Sequence, residues 1–220
     1  MLKTLASHVF SDDLPRSRVL SVLLLGVAAY LLTAPFLFSG ARSLNVAVTI
    51  AVFLVLVASF DLLLGYCGMV SFAHAMFYGI GAYGVAIASA RLGAGWGSIA
   101  VGTAGALALS AVLAVVMALL ALRVKAIFYT MTTLAVAAAF GALVMRWSTL
   151  TGGDDGRNFR VPEVLSPGFE LFEEPVLGTF ITGKVLTYYG VLVVAALLFL
   201  LMLRIVNSPF GRVLQAIREN

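Results

Sequence analysis

The sequence predicts an all-α fold, a polytopic transmembrane helical bundle of about six membrane segments, on three observations. Hydrophobic residues make up 62% of the chain and charged residues 11%, with a mean hydropathy of +1.08. Soluble domains are about 45–50% apolar and about 25% charged, and a chain of this size has too little interior to hide the excess. Charge is also segregated. Between Arg18 and Arg146 the charged residues are Arg42, Asp61, Arg91, Arg123 and Lys125, with Asp61 the sole acid. Finally, the uncharged runs suit the roughly 20 residues that a helix needs to cross the hydrocarbon.

The elements follow in order. Residues 1–18 read as a cytoplasmic N-terminal segment, and 19–203 as the transmembrane domain. Val19–Phe38 is the first span: its apolar core is too long for a signal peptide, and Thr33-Ala34-Pro35 makes a poor cleavage site. Leu44–Ala90 is too long for one crossing. Gly65-Tyr-Cys-Gly68 is the expected break, because glycine is strong local punctuation, which gives spans Leu44–Leu64 and Ser71–Ala90. Trp96–Leu122 is the fourth span, closed by Arg123 and Lys125, and Ala126–Met145 the fifth, closed by Arg146. Residues 147–184 form a polar loop carrying Asp154, Asp155, Glu163, Glu170, Glu173 and Glu174. Val185–Leu203 is the sixth span, and 204–220 is a basic amphipathic tail.

Lys and Arg in short connections set orientation. With the N-terminus in the cytoplasm, Lys3, Arg16, Arg18, Arg123, Lys125, Arg204, Arg212 and Arg218 lie inside. Arg42, Arg91, Arg146, Arg157, Arg160 and Lys184 lie outside, and the acid-rich loop faces outward.

Several function classes are excluded. The net charge of +4 comes without the basic run of a nucleic-acid face and fits the positive-inside bias. The single cysteine, Cys67, rules out an internal disulfide. No His-Glu-x-x-His, Gly-x-Ser-x-Gly or P-loop lysine occurs, so neither an enzyme nor a nucleotide site is expected on this chain. No cofactor or metal is expected either, since His74 has no second ligand at suitable spacing. Thr151-Gly-Gly-Asp-Asp-Gly156 lacks the alternating acids of a calcium loop and reads as a turn at the membrane boundary.

Small residues at every fourth position of the fourth span, Gly102, Ala106, Ser110, Ala114 and on to Ala118, line one helix face and let backbones approach. Gly79, Gly81 and Gly84 match G-x-G-x-x-G. They lie inside an apolar span with no acid in place, so they read as packing glycines rather than a dinucleotide site. Asp61 is the sharpest oddity, because a carboxylate at membrane depth costs roughly 2.5–3.5 kcal/mol on insertion scales. It reads either as a pathway group or as the cap of a helix restarting after Gly65. Ser71, His74 and Tyr78, at i, i+3 and i+7, would share a helix face. That polar stripe lines a pathway or hydrogen-bonds between helices. Thr130, Thr132 and Thr133 add a second polar patch, though threonine also bonds to its own helix.

Four segments, in order, together resemble one family. Phe60-Asp-Leu-Leu-Leu-Gly-Tyr-Cys-Gly-Met-Val-Ser-Phe-Ala-His-Ala-Met-Phe-Tyr-Gly-Ile-Gly-Ala-Tyr-Gly84 resembles the signature stretch of the LivM-type permeases, inner-membrane subunits of bacterial branched-chain amino-acid ABC importers. Thr133-Leu134-Ala135, Leu150-Thr-Gly-Gly-Asp-Asp-Gly156, and Ser208-Pro-Phe-Gly-Arg212 followed by Ala216-Ile-Arg-Glu-Asn220 are similar to the same family. The resemblance covers roughly 45–220.

It implies a permease subunit of the bacterial inner membrane that passes branched-chain or similar small amino acids. Its partners would be a second, LivH-like permease, two cytoplasmic ATPase subunits, a periplasmic substrate-binding protein and the membrane lipid, with no nucleic acid. Asp61, Ser71, His74, Tyr78, Thr132 and Thr133 are then expected near the translocation path. Ser208, Pro209, Phe210, Gly211 and Arg212 would open the segment that docks on the ATPase. Many relatives carry Asn at the position of Asp61. Family members also continue past the position of Asn220, so a fragment or a truncated chain is expected. Without the resemblance, Asp61 and His74 would suggest an ion- or proton-coupled secondary transporter or channel.

Overall fold

The computed structural model describes residues 18–37, 40–121, 126–171 and 180–219. The N-terminal segment before Arg18, and the orientation charges Lys3, Arg16, Arg123 and Lys125, lie outside the described residues, as do Glu173 and Glu174.

The long elements are helical: α1 Arg18–Leu37, α2 Ala41–Asp61, α3 His74–Leu92, α4 Trp96–Ala121, α5 Ala126–Arg146 and α6 Gly183–Val206, followed by the shorter α7 Pro209–Glu219. Among the described residues, five helices are long and apolar enough to cross a membrane, and α1 adds an apolar stretch over Ser21–Leu37. The all-helical, multi-pass reading therefore holds. The expected spans match these helices to within a few residues, because an uninterrupted apolar run must satisfy its own backbone hydrogen bonds in lipid and does so as helix.

The break in the long apolar stretch is displaced from its expected place. Gly65 does not end the second span: α2 widens into a π-helical turn over Leu62–Tyr66. The chain turns out of it only at Gly68, whose φ of 71° suits glycine. Met69 N–H donates to the Leu63 carbonyl at 3.1 Å, a closure one residue wider than the usual glycine-terminated helix end.

The chain divides into two compact units. One runs from Leu63 to Glu163 and holds α3, α4 and α5. Its core is Ala73, Met76, Ile80, Ala106 and Met117, flanked by Phe77, Leu113, Val136, Ala137 and Phe140. Helices α3 and α4 meet backbone to backbone. A Cβ on Gly84 would stand 2.8 Å from the Gly102 carbonyl oxygen, and one on Gly102 2.7 Å from that of Gly84. Gly84, Gly102 and Ala106 lie together at this contact, and Gly79 faces the Phe140 ring. Gly81 has open space around it, and Ala114 is exposed within this chain. Ser110 is half-buried. The stripe drifts off the seam because α-helical periodicity is 3.6 residues, not 4.

The same unit contains the glycine-rich turn after α5. Thr151, in a single helical turn Ser148–Thr151, lies within hydrogen-bond reach of the Val144 carbonyl at 2.6 Å and the Trp147 carbonyl at 2.9 Å, and accepts Gly153 N–H at 3.2 Å. Gly152, at φ 87°, lies against the Gly156 carbonyl, where a side chain has no room. Asp154 and Asp155 are exposed, and no described residues form a cluster of three or more potential metal ligands.

The other unit joins the chain up to Leu62 with the chain from Val164 onward. Here α2 packs on α6, around Ala34, Leu44, Val185 and Tyr188. Pro35 sits inside α1. Proline has no N–H, so the carbonyl four residues back, on Leu31, loses its helical donor. Tyr188 on α6 donates its hydroxyl to that carbonyl at 2.6 Å, and Tyr189 donates to the Leu32 carbonyl at 2.8 Å. The segment preceding α6 closes on itself through an antiparallel bridge between Glu170 and Thr182 and the bond from Gly183 N–H to the Phe169 carbonyl at 2.9 Å.

Candidate functional site: a broken segment clamped by threonines

Residues 68–73, between the π turn and α3, are not helical. Their backbone groups need partners, and helix α5 supplies two of them. Thr130 donates its hydroxyl to the Val70 carbonyl at 3.1 Å. Thr133 accepts Phe72 N–H at 3.1 Å and donates to the Thr130 carbonyl at 2.8 Å. Ser71 accepts Ala73 N–H at 3.3 Å, and Phe77 N–H donating to the Ala73 carbonyl at 3.1 Å belongs to the first turn of α3. Thr133 is completely buried, at 0% exposure. It engages both its donor and its acceptor, so its first effect is to hold the broken segment against α5.

The expected site residues fall around this clamp in different ways. Ser71 is buried and precedes the first helical residue, so it does not share a helix face with His74 and Tyr78; the i, i+3, i+7 relation fails because the helix starts only at His74. His74 is half-buried one turn before the exposed Tyr78. Thr132 donates back to the Phe128 carbonyl at 2.8 Å within its own helix. Asp61 is exposed and ends the α-helical part of α2. It does not cap the next helix, whose N-cap is Ala73 with no side-chain cap hydrogen bond. The capping role for Asp61 is therefore overturned: the restart lies a full π turn and a broken segment further on.

Sequence reasoning passed over two groups that the structure makes important. Thr130 was read only as part of a polar patch, and the Tyr188–Tyr189 pair was not singled out. The signal for the tyrosines was Pro35 inside an apolar span, which demands an outside donor for the carbonyl of Leu31. Gly211, expected in the docking segment, also has a structural constraint of its own. It lies against the Val206 carbonyl with no room for a Cβ, in the tight corner between α6 and α7.

That corner is built by Ser208-Pro209-Phe210-Gly211. Ser208 accepts Gly211 N–H at 3.4 Å and donates to the Ile205 carbonyl at 2.6 Å. Serine at the N-cap and proline at the first helical position are the residues that a helix start favours. On α7, Phe210, Val213 and Ile217 are exposed at i, i+3 and i+7, an apolar stripe opposite polar residues.

These features define a class: a multi-pass membrane protein whose apolar helices are interrupted, with each interruption satisfied by hydroxyls from a neighbouring helix. The family model described as branched-chain amino acid transport system, permease component, matches residues 42–220, and the chain belongs to that family. Neither the curated proteins nor the solved structures gave a match. The chain is thus a permease component of a branched-chain amino acid ABC transport system, a transport subunit rather than a catalyst. Family membership selects this reading over an ion-coupled secondary transporter. It also implies ATPase and binding-protein partners in general.

Proposed function

We propose that the chain is the LivM-type permease and pairs with a LivH-like second permease, two ATPase subunits and a periplasmic binding protein. The ordered motifs from Phe60 to Asn220 favour this type. In this reading the N-terminus is cytoplasmic, the 147–184 loop faces the periplasm, and no cofactor is carried on the chain. Specificity rests mainly with the binding protein, and the permease passes the small amino acid it receives.

The observation that carries the proposed path is the broken segment 68–73. Non-helical backbone near a membrane is tolerated where protein buries it or where it lines a cavity, and transporters use such breaks at their substrate routes. Ser71 lies in this segment, Thr133 holds it and His74 and Tyr78 follow it on α3; Asp61 and Thr132 are assigned to the path with them. In the C-terminal segment, α7 presents Phe210, Val213 and Ile217 as the face that docks on the ATPase, with Ser208, Pro209, Gly211 and Arg212 fixing its direction. An amphipathic helix laid into an apolar groove is a common docking mode.

Reconstitution tests the proposal. Proteoliposomes holding both permeases and the ATPases are expected to accumulate labelled leucine only with ATP and the binding protein. Uptake driven by a proton gradient without the ATPases would overturn it. For the residues, Asp61→Asn is the probe of a charge-bearing path: abolished uptake is expected if Asp61 carries it, and near-normal uptake would overturn that role.

A further inference from the structure

We propose that the groove between α1 and α2 holds an acyl chain of an anionic glycerophospholipid, with Arg42 binding its phosphate. The groove has a volume of about 580 Å³ and is lined by these two helices, within one compact unit. Its walls are apolar, with Leu31, Val46, Ile50 and Leu54 among them, while Arg42 and Ser43 lie at one end.

Depth decides the occupant. Arg42 opens the apolar run Arg42–Tyr66, which sets it at headgroup level, where a long basic side chain reaches lipid phosphate. From Arg42 to Leu54 the helix advances roughly 18 Å at about 1.5 Å per residue. Half of the hydrocarbon thickness is roughly 15 Å. The groove therefore reaches from one membrane face to about the midplane, the depth of a single leaflet. An acyl chain hanging from a headgroup fills that depth. A partner helix would run along the whole of α2 and need about 8–10 Å between axes. The cation stands only at the headgroup end, which complements a phosphodiester. An anionic headgroup is preferred over a zwitterionic one, whose own ammonium opposes Arg42.

The test uses the assembled transporter, stripped of native lipid and supplied with phosphatidylglycerol or phosphatidylcholine, and read by native mass spectrometry. The wild type is expected to retain phosphatidylglycerol preferentially. Arg42→Ala should lower that retention about fivefold, the scale of one basic residue against an anionic lipid, and Arg42→Lys should keep most of it. Ile50 is exposed at the groove wall, so Ile50→Trp fills the groove without disturbing the core, and retention of both lipids should fall. Equal retention by the wild type, Arg42→Ala and Ile50→Trp overturns the proposal. So does efficient cross-linking of an Ile50→Cys variant to another polypeptide in native membranes, because a protein helix would then occupy the groove.

Discussion

Each of the two compact units contains a failure of helical hydrogen bonding among its described residues, and the two are repaired in opposite ways. In the unit holding α1, Pro35 removes a donor and leaves a carbonyl on Leu31, which Tyr188 on α6 satisfies. The helix goes on, and only its missing bond is replaced. In the unit holding α3 to α5, the chain leaves helical geometry between Gly68 and Ala73, and Thr130 and Thr133 on α5 bind the exposed carbonyl and N–H directly. Tyrosine spans the distance with a rigid ring and donates once. Threonine is short, so the backbone must come to it, but it can donate and accept together. The first repair leaves the chain helical past the proline. The second holds an irregular segment against α5.

Thr133→Val is the substitution expected to have the largest effect, because it keeps the shape and removes both functions. Phe72 N–H then loses its acceptor at a partly buried contact with the buried Thr133, at a cost of about 2 kcal/mol. The apparent Tm of the purified transporter should fall by about 4–8 °C, and uptake should fall with it. Thr133→Ser, which restores the hydroxyl, should recover most of both. An unchanged Tm in Thr133→Val would mean that the clamp holds nothing.

Much of this comparison was hidden in the sequence, for physical reasons. Hydropathy located the spans because run length and apolarity decide what can sit in lipid. It could not locate the break: Gly65 and Gly68 look equivalent as letters, and only the π turn moves the exit to Gly68. Helix periodicity placed Ser71, His74 and Tyr78 on one face, but periodicity assumes that the helix has already begun. Gly102 and Ala106 were legible as a seam because close backbone contact admits only small residues. The pairing of Thr130 and Thr133 with residues about sixty positions earlier, and of Tyr188 with one 157 earlier, is tertiary, and no local pattern carries it.

A second prediction sharpens the tyrosine half of the comparison. Tyr188→Phe should cost about 1 kcal/mol, within the range measured for interhelical hydrogen bonds in membranes. In a Pro35→Ala background, residue 35 regains an N–H for the Leu31 carbonyl, so the same change should cost only a few tenths of a kcal/mol. Urea or thermal unfolding of the four proteins of the cycle measures the coupling. Equal losses in both backgrounds would show that Tyr188 acts through packing rather than by replacing the missing donor.

Tyr189→Phe should cost less, about 0.5 kcal/mol. The carbonyl it serves, on Leu32, lies four residues before Phe36, which has an N–H of its own, so the tyrosine is an extra donor there. The edge-to-face contact between the rings of Tyr188 and Tyr189, with centroids 5.4 Å apart, survives the change. A larger loss than for Tyr188→Phe would reverse the assignment of the Pro35 repair.

Thr132→Val should have the smallest effect on stability, a few tenths of a kcal/mol, because the hydroxyl only doubles a bond inside its own helix. That small cost makes it the cleanest probe of the proposed path. Thr133 cannot serve, since losing it disturbs the segment it holds, and any change in transport would follow from that. At Thr132 the two effects separate. Uptake that falls severalfold in Thr132→Val, with an unchanged Tm and normal assembly with the ATPases, would mark this position as facing the substrate. Uptake equal to that of the wild type would remove it from the path and leave α5 with a purely holding role beside the broken segment.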